Sequence, residues 1–191
     1  MTKIGSLFSG YGGLDIAVAE HYNAQVAWHC EWDEAPSKIL AKHYPDIPNY
    51  RDVSLVDFTQ VEPVDILTGG FPCQDLSLAG KRAGLKDGTR SGLWSEFARA
   101  IETLQPRLVI IENVRGLLSA TAHSDLEPCT WCLGDESNEP PLRALGAVLG
   151  DLASLGYDAQ WTGIRAADAG AAHNRFRIFI VAYPTNANHS R

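Results

Sequence analysis

The chain opens without the long apolar run that a secretory leader or a membrane span requires. "MTKIGSLFSG" is broken by glycine after four residues and again at Gly10, whereas a span takes about 20 consecutive apolar residues. A cytoplasmic protein is therefore the expectation. Cysteine is scarce, with four among 191 residues: Cys30, Cys73, Cys129 and Cys132. In a chain with no leader such thiols are expected to be reduced, and to serve catalysis or metal binding rather than a disulfide framework. Positive charge is in deficit, 16 Lys and Arg against 23 Asp and Glu, for a net charge of -7. That balance argues against a protein that coats nucleic acid by charge alone. There is no internal repeat and no low-complexity linker, so the 45% hydrophobic content points to one domain around one core.

Charge is unevenly spread. Between Ala79 and Ser95 the cations Lys81, Arg82, Lys86 and Arg90 face only Asp87, while Asp125 to Glu139 holds five acids and no Lys or Arg. Glycine and cations in "AGKRAGLKDGTRSGLW" suit a mobile loop, or equally an ordinary surface loop.

Period and punctuation give alternating strands and helices. "KIGSLFS" reads as a strand, "LDIAVAEHY" as a helix, "AQVAWHCEW" as a second strand and "DEAPSKILAKHY" as a helix whose opening acids and Pro36 suit a first turn. "PVDILTGG" is a further strand, "SGLWSEFARAIETL" an amphipathic helix, and "RLVIIENV" a strand apolar enough to be covered on both faces. "PPLRALGAVLGDLASLG" has proline at its start and glycine at its end, as a helix should, and "YDAQWTGIRA" and "RFRIFIVAY" close the pattern as strands. The order predicts an α/β domain with a doubly wound, mostly parallel sheet over residues 1–183, an acidic Cys-containing insertion over 119–141 and a polar tail over 184–191.

Ligands of open α/β sheets sit beyond the carboxyl ends of the strands, and chemically suggestive residues stand at these positions. Gly10, Gly12 and Gly13 follow the first strand and open a helix, which lets backbone approach a ligand closely or merely makes a turn. Glu31 ends the second strand about 20 residues further on, where an acid can accept ribose hydroxyls or simply face solvent. Together the two favour a nucleoside cofactor. Trp32, beside Glu31, and Asp52, set by the pattern just beyond a third strand, offer an aromatic contact and an amine acceptor for adenine, or else core packing and a helix cap. Cys73 follows "GGFP" at a strand exit, an unusual place for a structural thiol. Glu112 and Asn113 leave the most apolar strand, where desolvation would favour a neutral carboxyl able to donate a proton. Arg175 and Arg177 alternate with Phe176 and Ile178, so both are expected on one face of the last strand, as site residues or as solvent-facing cations on an edge.

"FSGYGGLD", "CEWD", "GGFPCQDLS", "ENV" and "HNRFRIFIVA" resemble, in order and spacing, the blocks of the cytosine-5 DNA methyltransferases. The resemblance covers essentially the whole chain and implies a Rossmann-like, S-adenosylmethionine-dependent methyltransferase fold. It implies methyl transfer from S-adenosylmethionine to carbon 5 of a cytosine flipped out of duplex DNA, in a bacterial or phage restriction-modification setting. By that analogy Phe8, Gly10, Tyr11 and Gly13 contact the cofactor, as do Pro72 and Leu93; Glu31 binds its ribose, and Trp32 and Asp52 its adenine. Cys73 would be the nucleophile toward ring carbon 6, Glu112 would stabilise the ring, and Arg175 and Arg177 would help position the base.

The sequence departs from the pattern. His173 stands where the family usually has glutamine. The family's target-recognition domain and its closing asparagine-containing block, expected after Tyr183, are not in the sequence, so a fragment, or one part of a split enzyme with a separate recognition subunit, is the expectation. Cys129 and Cys132 form one C-x-x-C with His123 upstream, half of a zinc site; an incidental or redox-active pair is the alternative. Other readings are a tRNA cytosine-5 methyltransferase, whose cysteine-phenylalanine-threonine signature the sequence does not show, a noncatalytic module binding S-adenosylmethionine or a partner, and a cysteine hydrolase, for which no histidine is set beside Cys73.

Overall fold

The computed structural model describes residues 1–72, 93–118 and 144–185. Cys73, the cationic glycine loop up to residue 92, His123, Cys129 and Cys132 with the acidic insertion, and all but the first two residues of the tail lie outside the described residues.

Six strands form one sheet: β1 (Lys3–Leu7), β2 (Gln25–Cys30), β3 (Ile66–Gly69), β4 (Leu108–Val114), β5 (Tyr157–Arg165) and β6 (Phe176–Pro184), in the order β2-β1-β3-β4-β6-β5. The first four are parallel, β6 is antiparallel to β4, and β5 is antiparallel to β6. β6 is thus the one reversed strand. Among the described residues four helices connect them: α1 (Gly13–Tyr22), α2 (Glu34–His43), α3 (Leu93–Leu104) and α4 (Ala144–Ser154). The mostly parallel α/β architecture read from the sequence is the one observed.

Side-chain alternation along the strands sorts residues to two faces. Leu67, Val109, Ile111, Ile178 and Ile180 belong to the main core with α3 and α4, and Ile4, Val18, Ile66 and Ile110 form a smaller cluster under α1. α3 shows why an amphipathic sequence folds here: Trp94, Phe97, Ala100 and Ile101 are buried at helical spacing. Trp94 also donates its indole N–H to Asp151 on α4 at 2.7 Å. The sheet admits these rings by using glycine. A Cβ on Gly69 would stand 2.5 Å from Phe97 Cε2 and 2.7 Å from the Leu7 carbonyl oxygen.

Two expectations are corrected. β1 ends at Leu7, two residues early, because Phe8 takes a left-handed φ of 52° and turns the chain out of the sheet. No third strand precedes Asp52; the segment there makes a single bridge, His29 to Asn49. Arg51, at φ 67°, turns it away into a short 3-10 turn, Val53–Leu55.

Candidate active site

The turns leaving β1, β3 and β4, with the loop entering β6, enclose a cavity of 290 Å³ at the carboxyl end of the parallel strands, bordered by Ser9, Gly10, Tyr11, Gly13, Glu112 and Arg175 among others. Its floor is glycine. Gly10, at φ 55°, and Gly13 would each carry a Cβ into open space, with nothing within 4 Å. Gly12 sits at φ 79° as the N-cap of α1. Backbone there stands clear for a ligand, and the free amides of the helix start face the same region.

Glu31 borders this floor. It is buried at 7% exposure, and not the solvent-facing glutamate that the sequence left open. Its Oε2 accepts the Gly10 N–H at 2.7 Å and its Oε1 the Asp33 N–H at 2.8 Å. The Glu31 N–H donates in turn to Asn49 Oδ1 at 2.9 Å. Both oxygens keep a lone pair for further donors. Trp32 next to it is 65% exposed, which rules out core packing and leaves an aromatic surface beside the acid. Asp52 Oδ1 accepts from the Ser54 N–H and hydroxyl at 3.0 and 2.7 Å, the cap that was its alternative reading.

Sites deeper in the fold serve packing. Phe8 is half-buried against the main core, stacked on Phe97 at 6.4 Å, with its N–H donating to the Cys30 carbonyl at 2.8 Å. Leu93 opens α3 and also packs on that core; neither it nor Phe8 lines the cavity. Cys30 is buried and free; burial first, then the carboxylates of Asp52 and Glu31, push its thiol up to about 12, so it is no nucleophile.

The second half of the site stands on β4 and β6. Their antiparallel register sets Glu112 opposite Phe179 and Val114 opposite Arg177, so Arg177 reaches Glu112 along the cross-strand diagonal. Arg177 Nε donates to Glu112 Oε1 at 2.8 Å. The Glu112 side chain is 33% exposed, so the full desolvation expected from its apolar strand is not met. Arg175 borders the cavity from the loop entering β6, with its N–H donating to His173 Nδ1 at 3.4 Å. The histidine thus supports the backbone next to the arginine. Asn113, buried, donates from Nδ2 to the Phe71 carbonyl at 3.0 Å and accepts the Val114 N–H at 2.7 Å. It thereby ties the end of β4 to the turn that continues through Pro72 into Cys73.

The model for C-5 cytosine-specific DNA methylases matches residues 2–190. The chain belongs to that family. Among curated relatives it is 35% identical over 183 residues to type II methyltransferase M.NlaIV of Neisseria lactamica, covering 93% of this chain and 40% of that protein. To M.HpaII of Haemophilus parainfluenzae it is 34% identical over 181 residues, covering 93% and 44%. The chain thus spans less than half the length of these relatives. Among solved structures it resembles Spodoptera frugiperda DNMT2 (TM-score 0.72, 15% identity, 98% of this chain and 51% of that one) and S. pombe Dnmt2 (TM-score 0.71, 17%, 97% and 51%). These show that the chain shares its α/β fold with them.

Sequence reasoning missed one group of this C-5 methylase fold. Asp15, buried at 2% exposure, accepts the Thr68 hydroxyl at 2.6 Å and lies 2.7 Å from Ser6 Oγ, while Ser6 Oγ lies 2.8 Å from Ser9 Oγ. Burial raises the Asp15 carboxyl above its ordinary range despite these hydroxyls, and burial lowers the neighbouring His29 imidazole. Ser6 and Thr68 meet through the pairing of β1 with β3, and Asp15 is brought onto them by the first turn of α1, so no local signal exposed the group.

Proposed function

We propose that the chain is the catalytic portion of a DNA cytosine-5 methyltransferase that transfers a methyl group from S-adenosylmethionine to carbon 5 of a flipped cytosine. The observation carrying this is the convergence, beside the glycine-floored cavity, of the Glu112–Arg177 pair with the Asn113-held turn that leads into Cys73. The residues fit the cofactor: Gly10 and Gly13 leave room for it, Glu31 has acceptors for ribose hydroxyls, and Trp32 gives an adenine a face to pack on. S-adenosylmethionine bound there supplies an electrophilic methyl group on its sulfonium.

Carbon 5 of cytosine is a weak nucleophile until something adds across the adjacent double bond, and a soft thiolate is suited to that task. The Cys73 sulfur bonds to carbon 6, and the electron pair moves into the ring. Glu112, hydrogen-bonded at ring nitrogen 3, stabilises the ring as it becomes electron-rich, with Arg177 fixing the orientation of that carboxyl group and Arg175 lining the base side. Carbon 5 takes the methyl group, loses its proton, and expels the sulfur from carbon 6. Flipping brings the base out of the stack to this depth, and base-edge reading belongs to the part of the enzyme that this chain does not span.

Cys73→Ser tests the assignment. Tritiated methyl incorporation into duplex DNA, measured with the remaining portion of a relative supplied, is expected to fall to background while cofactor binding is unchanged. Transfer by the serine variant sinks the nucleophile assignment.

A further inference from the structure

The segment that carries Asp52 has no sheet ladder to hold it. Among the described residues its only strand-like contact is the bridge of Asn49 with His29, and the 3-10 turn that follows, Val53–Leu55, is too short to be rigid through its own hydrogen bonds. Yet Asp52 is firmly placed. Asn49 Oδ1 accepts the N–H of both Glu31 and Arg51, at 2.9 and 3.0 Å, which fastens the approach to Asp52 beside Glu31. Asp52 Oδ1 is filled by the N–H and hydroxyl of Ser54. Among the described residues no donor reaches its Oδ2.

The other side of the turn is held by one side chain of α3. Arg99 donates from Nη2 to the Val53 carbonyl and from Nη1 to the Val56 carbonyl, each at 2.9 Å. Its Nε donates to Glu96 Oε2 at 2.7 Å, and its Cζ lies 4.6 Å from the centroid of the Phe58 ring. A planar fork tied to three acceptors and stacked on a ring has no rotation left. The two carbonyls bracket the turn whose N-cap is Asp52. Val53 and Val56 are also joined to each other, by the Val56 N–H to the Val53 carbonyl at 3.3 Å, so Arg99 closes from outside a loop that is only weakly closed from within.

We infer that Arg99 is a positioning residue for adenine recognition: by clamping the carbonyls of Val53 and Val56 it holds the turn that aims the open Asp52 oxygen at the 6-amino group of the cofactor's purine. The inference rests on the proposed cofactor site. Arg99 does not touch the ligand, and its effect passes through Asp52 alone. A carboxylate discriminates an amino group from hydrogen only when its oxygen stays where the N–H arrives, because a hydrogen bond weakens steeply with misalignment.

The test is calorimetric titration of the 191-residue chain with S-adenosylmethionine and with an analogue whose purine carries hydrogen in place of the 6-amino group. The wild type is expected to prefer the amino-bearing compound by roughly tenfold, the scale of a hydrogen bond to a charged group, and Asp52→Ala should bring that ratio close to one. Arg99→Met, which keeps an unbranched chain over Phe58 and removes every donor, should lower the ratio severalfold while the analogue's affinity stays near that of the wild type. Arg99→Lys, with one ammonium in place of the fork, should fall between the two. It serves the same comparison if the methionine variant does not fold by circular dichroism. In the Asp52→Ala background Arg99→Met should leave the ratio unmoved, since residues that act through one contact are not additive. An unchanged ratio in the Arg99 variants overturns the inference, as does a parallel loss of affinity for both compounds or a further fall of the ratio in the double variant. A wild type that binds the two compounds equally overturns it as well, with the cofactor site intact. If the folded wild type binds neither compound, the cofactor site itself is refuted and the inference with it.

Discussion

His29 is the residue whose environment is most sharply defined by what it does not bond. It is 1% exposed, neither ring nitrogen has a hydrogen-bond partner, and Nδ1 stands 3.8 Å from Asp15 Oδ2. Burial lowers its pKa below 6.5, against the pull of Asp15. The unfolded chain therefore binds the proton more readily, and stability falls as pH drops through and below 6.5. Asp15 has the opposite sign: its raised pKa makes the folded state the better proton binder above 3.8, so its contribution weakens as pH rises from there. His29→Leu is expected to flatten the loss of stability between pH 6.5 and 5, read by urea denaturation at each pH. An undiminished slope in the variant would place the proton uptake elsewhere. None of this was visible in "WHCEW", where His29 is one polar residue among strand formers. Glu31 and Glu112 could be singled out as candidates because strand ends in such folds carry ligands.

At the scale of elements, glycine decides how closely the layers approach. The Cβ of Gly69→Ala would meet a ring and a main-chain carbonyl under 3 Å away, and the carbonyl cannot rotate aside. A loss of about 1–3 kcal/mol is expected, the usual cost of overpacking. Gly13→Ala, whose Cβ would meet nothing, should cost little or add helix stability. Chemical denaturation of the two variants compares them, and equal stability would contradict the packing. Periodicity revealed the six strands and four helices of the described residues because apolar spacing is a local property. It misjudged the end of β1 and the segment before Asp52, because the positive φ of Phe8 and Arg51 is imposed by contacts elsewhere in the chain. The register that joins Glu112 to Arg177, 65 residues apart, is likewise a product of pairing.

For the whole molecule, the cofactor reading makes a global prediction. A ligand that binds only the folded state at 100 times its Kd stabilises by about 2.7 kcal/mol, which raises Tm by about 5–10 °C in a domain of this size. S-adenosylmethionine should produce such a shift in scanning calorimetry, and Glu31→Ala should reduce it. A folded chain with no shift at saturating cofactor would count against the cavity as the binding site. The place of β6 in the sheet bears on biosynthesis as well. β4 and β5 flank it, yet both are made before it, and β5 pairs with no other strand among the described residues. At roughly 5–20 residues per second on the ribosome, β5 waits about one to four seconds for Pro184 to be added. Until then the β1–β4 portion can form alone, with Glu112 still without its arginine. The half of the sheet that joins Glu112 to Arg177 is completed in one late event, and a nascent chain stalled before that event would hold the glycine floor and Glu31 but not the Glu112–Arg177 pair.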